Sequence, residues 1–279
     1  MGYRTILVHL DQSASAPARI ELAVRLANQH AAHLIGLAQT GVSSFIRDIA
    51  LPGADLDGLS PLFAQLREDA ERCGVRFEAA ARQAGLASFD HRIGDEDPGN
   101  ALATQAMYAD LVVVSRHDPG SGDAGGGIPE YVALNAPSPV MVLPSGAAAP
   151  GVGSPFQRVL LAWNASPEAA RAVRQALPLL QAAGEVLVAI VERDAPGPVP
   201  PRSGQALVEF LARHGVNAAV RQQHAAGELG AALLALARQC GAGLLVMGCY
   251  GHSRFREMLL GGVSRTVLRG LDLPVLMAH

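Results

Sequence analysis

The chain reads as an α/β protein built twice over. It is expected to form two tandem domains, each an open, twisted sheet of five parallel strands with helices on both faces. Three observations predict this. Short apolar runs alternate with amphipathic stretches throughout the 279 residues, and the same order of runs occurs twice. The composition is 49% hydrophobic but only 4% aromatic. The core must therefore come from Ala, Val, Leu and Ile, as in strands covered on both faces.

The elements follow in pairs. TILVHLD from Thr5 and RVLLAWN from Arg158 are apolar strands, each closing on an Asx residue, Asp11 or Asn164. Helical stretches rich in Ala and Arg come next, SASAPARIELAVRLANQ from Ser13 and SPEAARAVRQALPLLQ from Ser166. HLIGLAQT from His33 and EVLVAIVE from Glu185 are the second strands. In the second half a helix is expected over residues 203–214, a third strand over 216–222 and a helix over 228–240. The first half instead makes a longer excursion at residues 41–60, which reads as a surface loop or lid. DLVVVS from Asp110 and GLLVMG from Gly243 are fourth strands; PVMVLP from Pro139 and PVLMAH from Pro274 are fifth strands. The repeat divides at GAAAPGVGSP, residues 146–155, a composition suited to a linker. The expected domains are residues 1–145 and 156–279.

Composition also excludes some functions. A net charge of −3, with no Lys/Arg run, argues against a nucleic-acid surface. No apolar stretch approaches the roughly 20 residues needed to span a bilayer, and the apolar run of MGYRTILVHLDQSA leads straight to Asp11 rather than to a cleavage site. Three cysteines, Cys73, Cys240 and Cys249, lack metal-ligand spacing and suit a reducing cytoplasm. No Ser-His-Asp order and no Walker-type Gly-Lys-Ser/Thr run appears. Nothing supports catalysis.

Most of the functional information lies in MGCYGHSRFREMLLGGVSRTVLRG, from Met247. A strand, a glycine-bearing basic loop and a helix N-terminus are the parts with which backbone N–H groups and a helix dipole hold phosphate. His252, Arg254, Arg256 and Arg265 add cationic candidates. The alternative for Gly248 and Gly251 is a tight strand-to-helix turn without a ligand. Ligands of open parallel sheets bind beyond the carboxyl ends of strands. If the strands ending at Asn164 and at Met247 are neighbours, both face one crevice.

Other residues read more plainly. Trp163 suits packing over base stacking, Glu168 and Arg171 suit a surface ion pair, and Cys249 suits a small loop residue, with a reactive thiol as the alternative. Asp95, Glu96 and Asp97 suit a cap for the helix after Pro98, with Mg2+ ligation as the alternative. Gly125 to Gly127 suit loop and helix entry before a helix near Pro129, with an anion nest as the alternative.

The spacing Gly248-x2-Gly251-x9-Gly261, together with LVHLDQSAS and LLAWNAS, resembles the universal stress protein family. The likeness covers both halves and implies a tandem, Rossmann-like member. It implies that Ala162, Asn164 and Val191 hold adenosine, and that Met247, Gly248, Gly251, Gly261, Gly262 and Val263 hold ribose and phosphates; His252 and Arg254 are cationic candidates read from the loop itself. It further implies ATP or another adenine nucleotide, with or without Mg2+. Two residues depart from the family pattern. Asn164 stands where Asp is usual, which removes the charge-assisted part of a bond, and Gly262 stands where Ser or Thr is usual, with Ser264 as a partial replacement. Each loss is expected to cost about 1–2 kcal/mol. The first half keeps Asp11 but, in SRHDPGSGDAGGGIP from Ser115, has no such glycine register. The expectation is one nucleotide site, in the second half, in a cytoplasmic binding module with an unknown protein partner; the alternative is a stress protein that has lost nucleotide binding and acts through protein–protein contacts. The fifth strands are expected to pair within the chain as a pseudo-dimer, with a homodimer open.

Overall fold

In the computed structural model, residues 2–42, 60–116, 127–146, 156–192, 199–249 and 262–279 are described. Ten strands form one sheet. In chain order they are β1 (Thr5–Leu10), β2 (His33–Gln39), β3 (Phe89–Gly94), β4 (Leu111–Ser115), β5 (Val140–Leu143), β6 (Arg158–Ala162), β7 (Glu185–Glu192), β8 (Ala218–His224), β9 (Leu244–Gly248) and β10 (Val275–Ala278). The described helices are α1 (Ala16–His30), α2 (Ser60–Gln83), α3 (Pro98–Gln105), α4 (Ile128–Asn135), α5 (Pro167–Ala182), α6 (Ser203–Arg213), α7 (Leu229–Cys240) and α8 (Val263–Arg269).

Across the sheet the order is β3-β2-β1-β4-β5-β10-β9-β6-β7-β8. Every pairing is parallel except the central one, where β5 and β10 run antiparallel with Leu276 opposite Met141. The two fifth strands thus pair within the chain, and the halves are related as a pseudo-dimer. Helices α1, α2, α5 and α6 cover one apolar face; α3, α4, α7 and α8 cover the other. Each cluster runs through both halves. The tyrosine hydroxyl of Tyr3 adds a link by donating to the Gln175 carbonyl at 2.9 Å, and Arg116 Nη1 donates to the Arg269 carbonyl.

Two expectations need adjusting. The third strand of the second half starts at Ala218, not at residue 216. Gly215, at φ 74°, turns the chain out of α6, and the Val216 N–H closes on the Leu211 carbonyl at 3.0 Å. Val216 is buried in that closing turn, so extended pairing begins after it. In the first half Ser60 opens a helix of 24 residues, against 11 in α6; residues 43–59 of the excursion lie outside the described residues.

The acidic cluster acts as expected at a helix start. Asp97 accepts from the Asn100 N–H at 3.0 Å, with Pro98 in the first turn of α3. Gly127, at φ 97°, occupies the N-cap of α4, where its left-handed backbone favours glycine.

Candidate functional site at the carboxyl ends of β6, β7 and β9

Parallel pairing aligns Val159 with Leu244 and Leu161 with Val246, so β6 and β9 are neighbours. Their carboxyl ends bring the Asn164 turn and Gly248 to one side of the sheet. That juxtaposition is what an open α/β sheet needs for a ligand crevice. β7 lies on the other flank of β6 and carries Val191.

The turn after β6 is built by short polar side chains. The Ser166 N–H donates to Asn164 Oδ1 at 3.1 Å, and Ser166 Oγ accepts from the Ala169 N–H at 3.2 Å. Asn164 closes an Asx turn, Ser166 caps α5, and Pro167 occupies the first turn. Asn164 itself is exposed. The Trp163 backbone N–H donates to the Ala189 carbonyl at 2.8 Å. Its ring packs against the core face under α5 and α6, with Nε1 buried and lacking a partner among the described residues.

Gly248 is required by packing before any ligand is considered. A Cβ there would lie 2.5 Å from the Ala169 nitrogen and 2.9 Å from Glu168 Cβ. The first turn of α5 therefore rests directly on the end of β9. Glu168 belongs to this contact. It does pair with Arg171, Nη2 to Oε1 at 3.0 Å, but its side chain is only 13% exposed. The reading of an ordinary surface pair is corrected on that point.

The remaining candidates divide between buried and partly covered positions. Met247 is buried, while Ala162, Val191 and Val263 pack at the margin of the α7–α8 face. Gly262 caps α8 at φ −59°, a backbone any residue adopts. Ser264, in the first turn of α8, is 2% exposed. Cys249 is buried, with Sγ donating to the Ala133 carbonyl at 3.4 Å. Gly251, His252, Arg254 and Gly261 lie outside the described residues. Among the described residues, no group of three or more His, Cys, Asp or Glu side chains is arranged to hold a metal.

The first half has the same turn and fills it. Asp11 Oδ1 accepts from the Ser13 N–H at 3.0 Å, as Asn164 does from Ser166. It also accepts from Arg19 Nη2 at 2.7 Å. Arg19 is 1% exposed and its Nε donates to the His9 carbonyl at 2.8 Å. His9 Nδ1 lies 3.4 Å from Asp11 Oδ2. Burial, then the Arg19 charge, lowers the His9 pKa to about 4. Burial pushes the Asp11 carboxyl up, but the Arg19 charge and the neighbouring donors outweigh it and hold the pKa near 2. The aligned repeat puts Ala162 and Ala172 where His9 and Arg19 stand. Sequence reasoning passed over this pair. The available signal was Arg19 on the buried stripe formed by Ala16, Ile20 and Ala23.

The profile of the universal stress protein family matches residues 2–144 and 155–279. The chain belongs to this family. It is a tandem member, with one copy of the family domain matched in each half. A universal stress protein from Archaeoglobus fulgidus DSM 4304 is similar over 98% of this chain and 95% of its own, at 19% identity and a TM-score of 0.73. A functionally unknown protein from Pseudomonas aeruginosa PAO1 is similar over 99% and 92%, at 16% identity and a TM-score of 0.59. These likenesses show that the fold of the whole tandem protein is shared. A universal stress protein in complex with cAMP matches 51% of this chain and 98% of its own, at 23% identity and a TM-score of 0.34. No curated protein matches.

Proposed function

We propose that this universal stress protein binds one ATP or related adenine nucleotide per chain, in its second half, and signals occupancy to a partner protein. The observation that carries the reading is the asymmetry between the two Asx turns. In the first half the crevice beside Asp11 is filled by Arg19 and His9. In the second half the same positions are alanines, Ala172 and Ala162. The second half thus lacks the cation and the imidazole that engage Asp11, and its Asx residue lies at the strand ends where an open sheet receives its ligand.

In this reading Ala162, Asn164 and Val191 meet adenosine. Met247, Gly248, Gly251, Gly261, Gly262 and Val263 meet ribose and phosphates, with His252, Arg254 and Ser264 adding donors. Mg2+ accompanies the phosphates if it is needed to neutralise them. The protein is a binding module rather than an enzyme, works in the cytoplasm, and folds as domains 1–145 and 156–279. Any homodimer would be built on top of the intrachain pseudo-dimer. No described helix is long and apolar enough to cross a membrane.

Calorimetry with ATP·Mg and with AMP tests this reading. Binding at one site per chain, abolished in Gly251→Val, is expected. No heat with either nucleotide would sink it. A second reading, a stress protein that acts only through protein–protein contacts, is favoured by one observation: Asn164 Oδ1 is already committed to the Ser166 N–H. Native mass spectrometry of the purified protein separates the two, because nucleotide retained at one per chain excludes the second.

A further inference from the structure

The last helix of each half is held near its carboxyl end by the other half. Arg116 directly follows β4, and its backbone N–H donates to the Leu143 carbonyl at 2.8 Å. Its side chain crosses the seam. Nη1 donates to the carbonyl of Arg269, the last residue of α8, and Nη2 donates to Ser145 Oγ at 3.1 Å. Cys249 directly follows β9, and its N–H donates to the Ala278 carbonyl at 2.9 Å. Its Sγ donates to the carbonyl of Ala133, in the last turn of α4, at 3.4 Å. The antiparallel pairing of β5 with β10 brings these contacts about. It sets the carboxyl ends of β4 and β9 close to the start of the other half's fifth strand, into which α8 or α4 leads.

The two contacts are unequal. Carbonyls in the last turn of a helix have no partner within it, and the helix dipole favours a cation there. Arg116 meets both needs, with a permanent charge and a charge-assisted bond. Cys249 offers α4 only a weak, uncharged donor. The stronger hold is therefore on α8, the helix of the half in which the nucleotide site is proposed. α8 has seven residues, a length of about 10 Å. Its first turn carries Val263 and Ser264 after the Gly262 cap, so a shift at its carboxyl end is a shift of these residues too.

We infer that Arg116 is a positioning residue through which the first half governs the second-half site. Its hold on α8 keeps Gly262, Val263 and Ser264 in place for the phosphates proposed to meet them. The inference rests on the nucleotide reading above and adds regulation to it. Affinity in one half is set in part by a side chain of the other. Because coupling between sites is reciprocal, an occupied site in turn tightens the contact at Arg116.

The experiment measures ATP·Mg affinity by calorimetry, and amide hydrogen exchange, in the full chain of wild type, Arg116→Met and Arg116→Lys. Arg116→Met is expected to weaken ATP about fivefold to twentyfold, a usual size for coupling between sites. Without nucleotide, exchange in α8 should speed up about tenfold in this variant, while α6, on the opposite face, keeps its rates. Arg116→Lys keeps a cation at the helix end and should lose less on both readings. Melting within a few degrees of wild type certifies each variant as folded; if Arg116→Met melts lower, Arg116→Lys carries the test with the same signs. Unchanged ATP affinity, unchanged exchange in α8, an equal rise of exchange in α6, or equal losses in the two variants would each overturn the inference and leave the nucleotide reading standing. No binding of ATP by wild type would overturn both.

Discussion

Arg19 Nη2 lies 2.7 Å from Asp11 Oδ1, and the guanidinium is 1% exposed while the carboxylate side chain keeps 30% of its surface. One arginine thereby ties α1 to the end of β1 and occupies the ground beside the first Asx turn. Arg19→Met removes the cation, leaving Asp11 with its Ser13 donors alone and taking the guanidinium donor from the His9 carbonyl. Breaking a largely buried pair of this kind is expected to cost about 2–4 kcal/mol. Denaturant unfolding of the whole chain measures it. A loss under about 0.5 kcal/mol would show that the pair is incidental.

The same cluster sets an acid limit. His9 titrates near 4 when folded and near 6.5 when free, so the unfolded chain binds the extra proton first. Its contribution is present above about pH 6.5 and is lost as pH falls towards 4, on the order of 3 kcal/mol in all. Asp11 is lowered from 3.8 to about 2. Its contribution is present above about pH 4 and is lost as pH falls towards 2. Stability measured by denaturant titration should therefore fall in two steps on acidification. His9→Gln should flatten the upper step and Asp11→Asn the lower one.

Gly248 and Gly262 should respond in opposite ways. A Cβ at Gly248 meets the α5 backbone at 2.5 Å, so Gly248→Ala is expected to destabilise by about 1–3 kcal/mol. Loss of nucleotide in that variant would not by itself identify a contact. Gly262, at φ −59°, has a backbone that any residue adopts. Gly262→Ser should add a hydroxyl donor and raise ATP affinity about fivefold to tenfold, with melting unchanged. Titration calorimetry reads the affinity and scanning calorimetry the melting.

The halves should unfold together. β5 and β10 pair through Met141 and Leu276, and the apolar cluster on each face crosses that seam. One calorimetric transition is expected, with equal van't Hoff and calorimetric enthalpies. Leu276→Asp should lower it as a single peak, because a buried charge at the seam weakens both sides. Two separate peaks in the wild-type protein would contradict this.

Much of this was legible in the chain. The repeat located the strands other than β3 to within about two residues, because apolar runs of that length between amphipathic helices suit a sheet covered on both faces; β3, with alternating polar residues, was given no bounds. That the two fifth strands pair within the chain was implied by the family resemblance; their antiparallel direction came from the structure. Asp97 as a cap and Gly127 as a helix entry were legible because each is a local matter of short polar side chains or left-handed backbone. The start of β8 was misplaced because Val216, apolar and β-branched, is spent on closing α6. The role of Arg19 was missed because a helix rich in Ala and Arg does not announce which arginine turns inward.

By itself the sequence determined the architecture and the family, and it named the strand ends at which a site is proposed. Periodicity and local turn chemistry need no knowledge of distant atoms. Only the tertiary structure decided how the two Asx turns differ, since that depends on side chains crossing between elements. Arg19 reaches from α1 to the end of β1, and α5 presses Glu168 onto Gly248 at the end of β9. Burial then makes Asp11 a satisfied partner and leaves Glu168 with one oxygen that has no partner among the described residues.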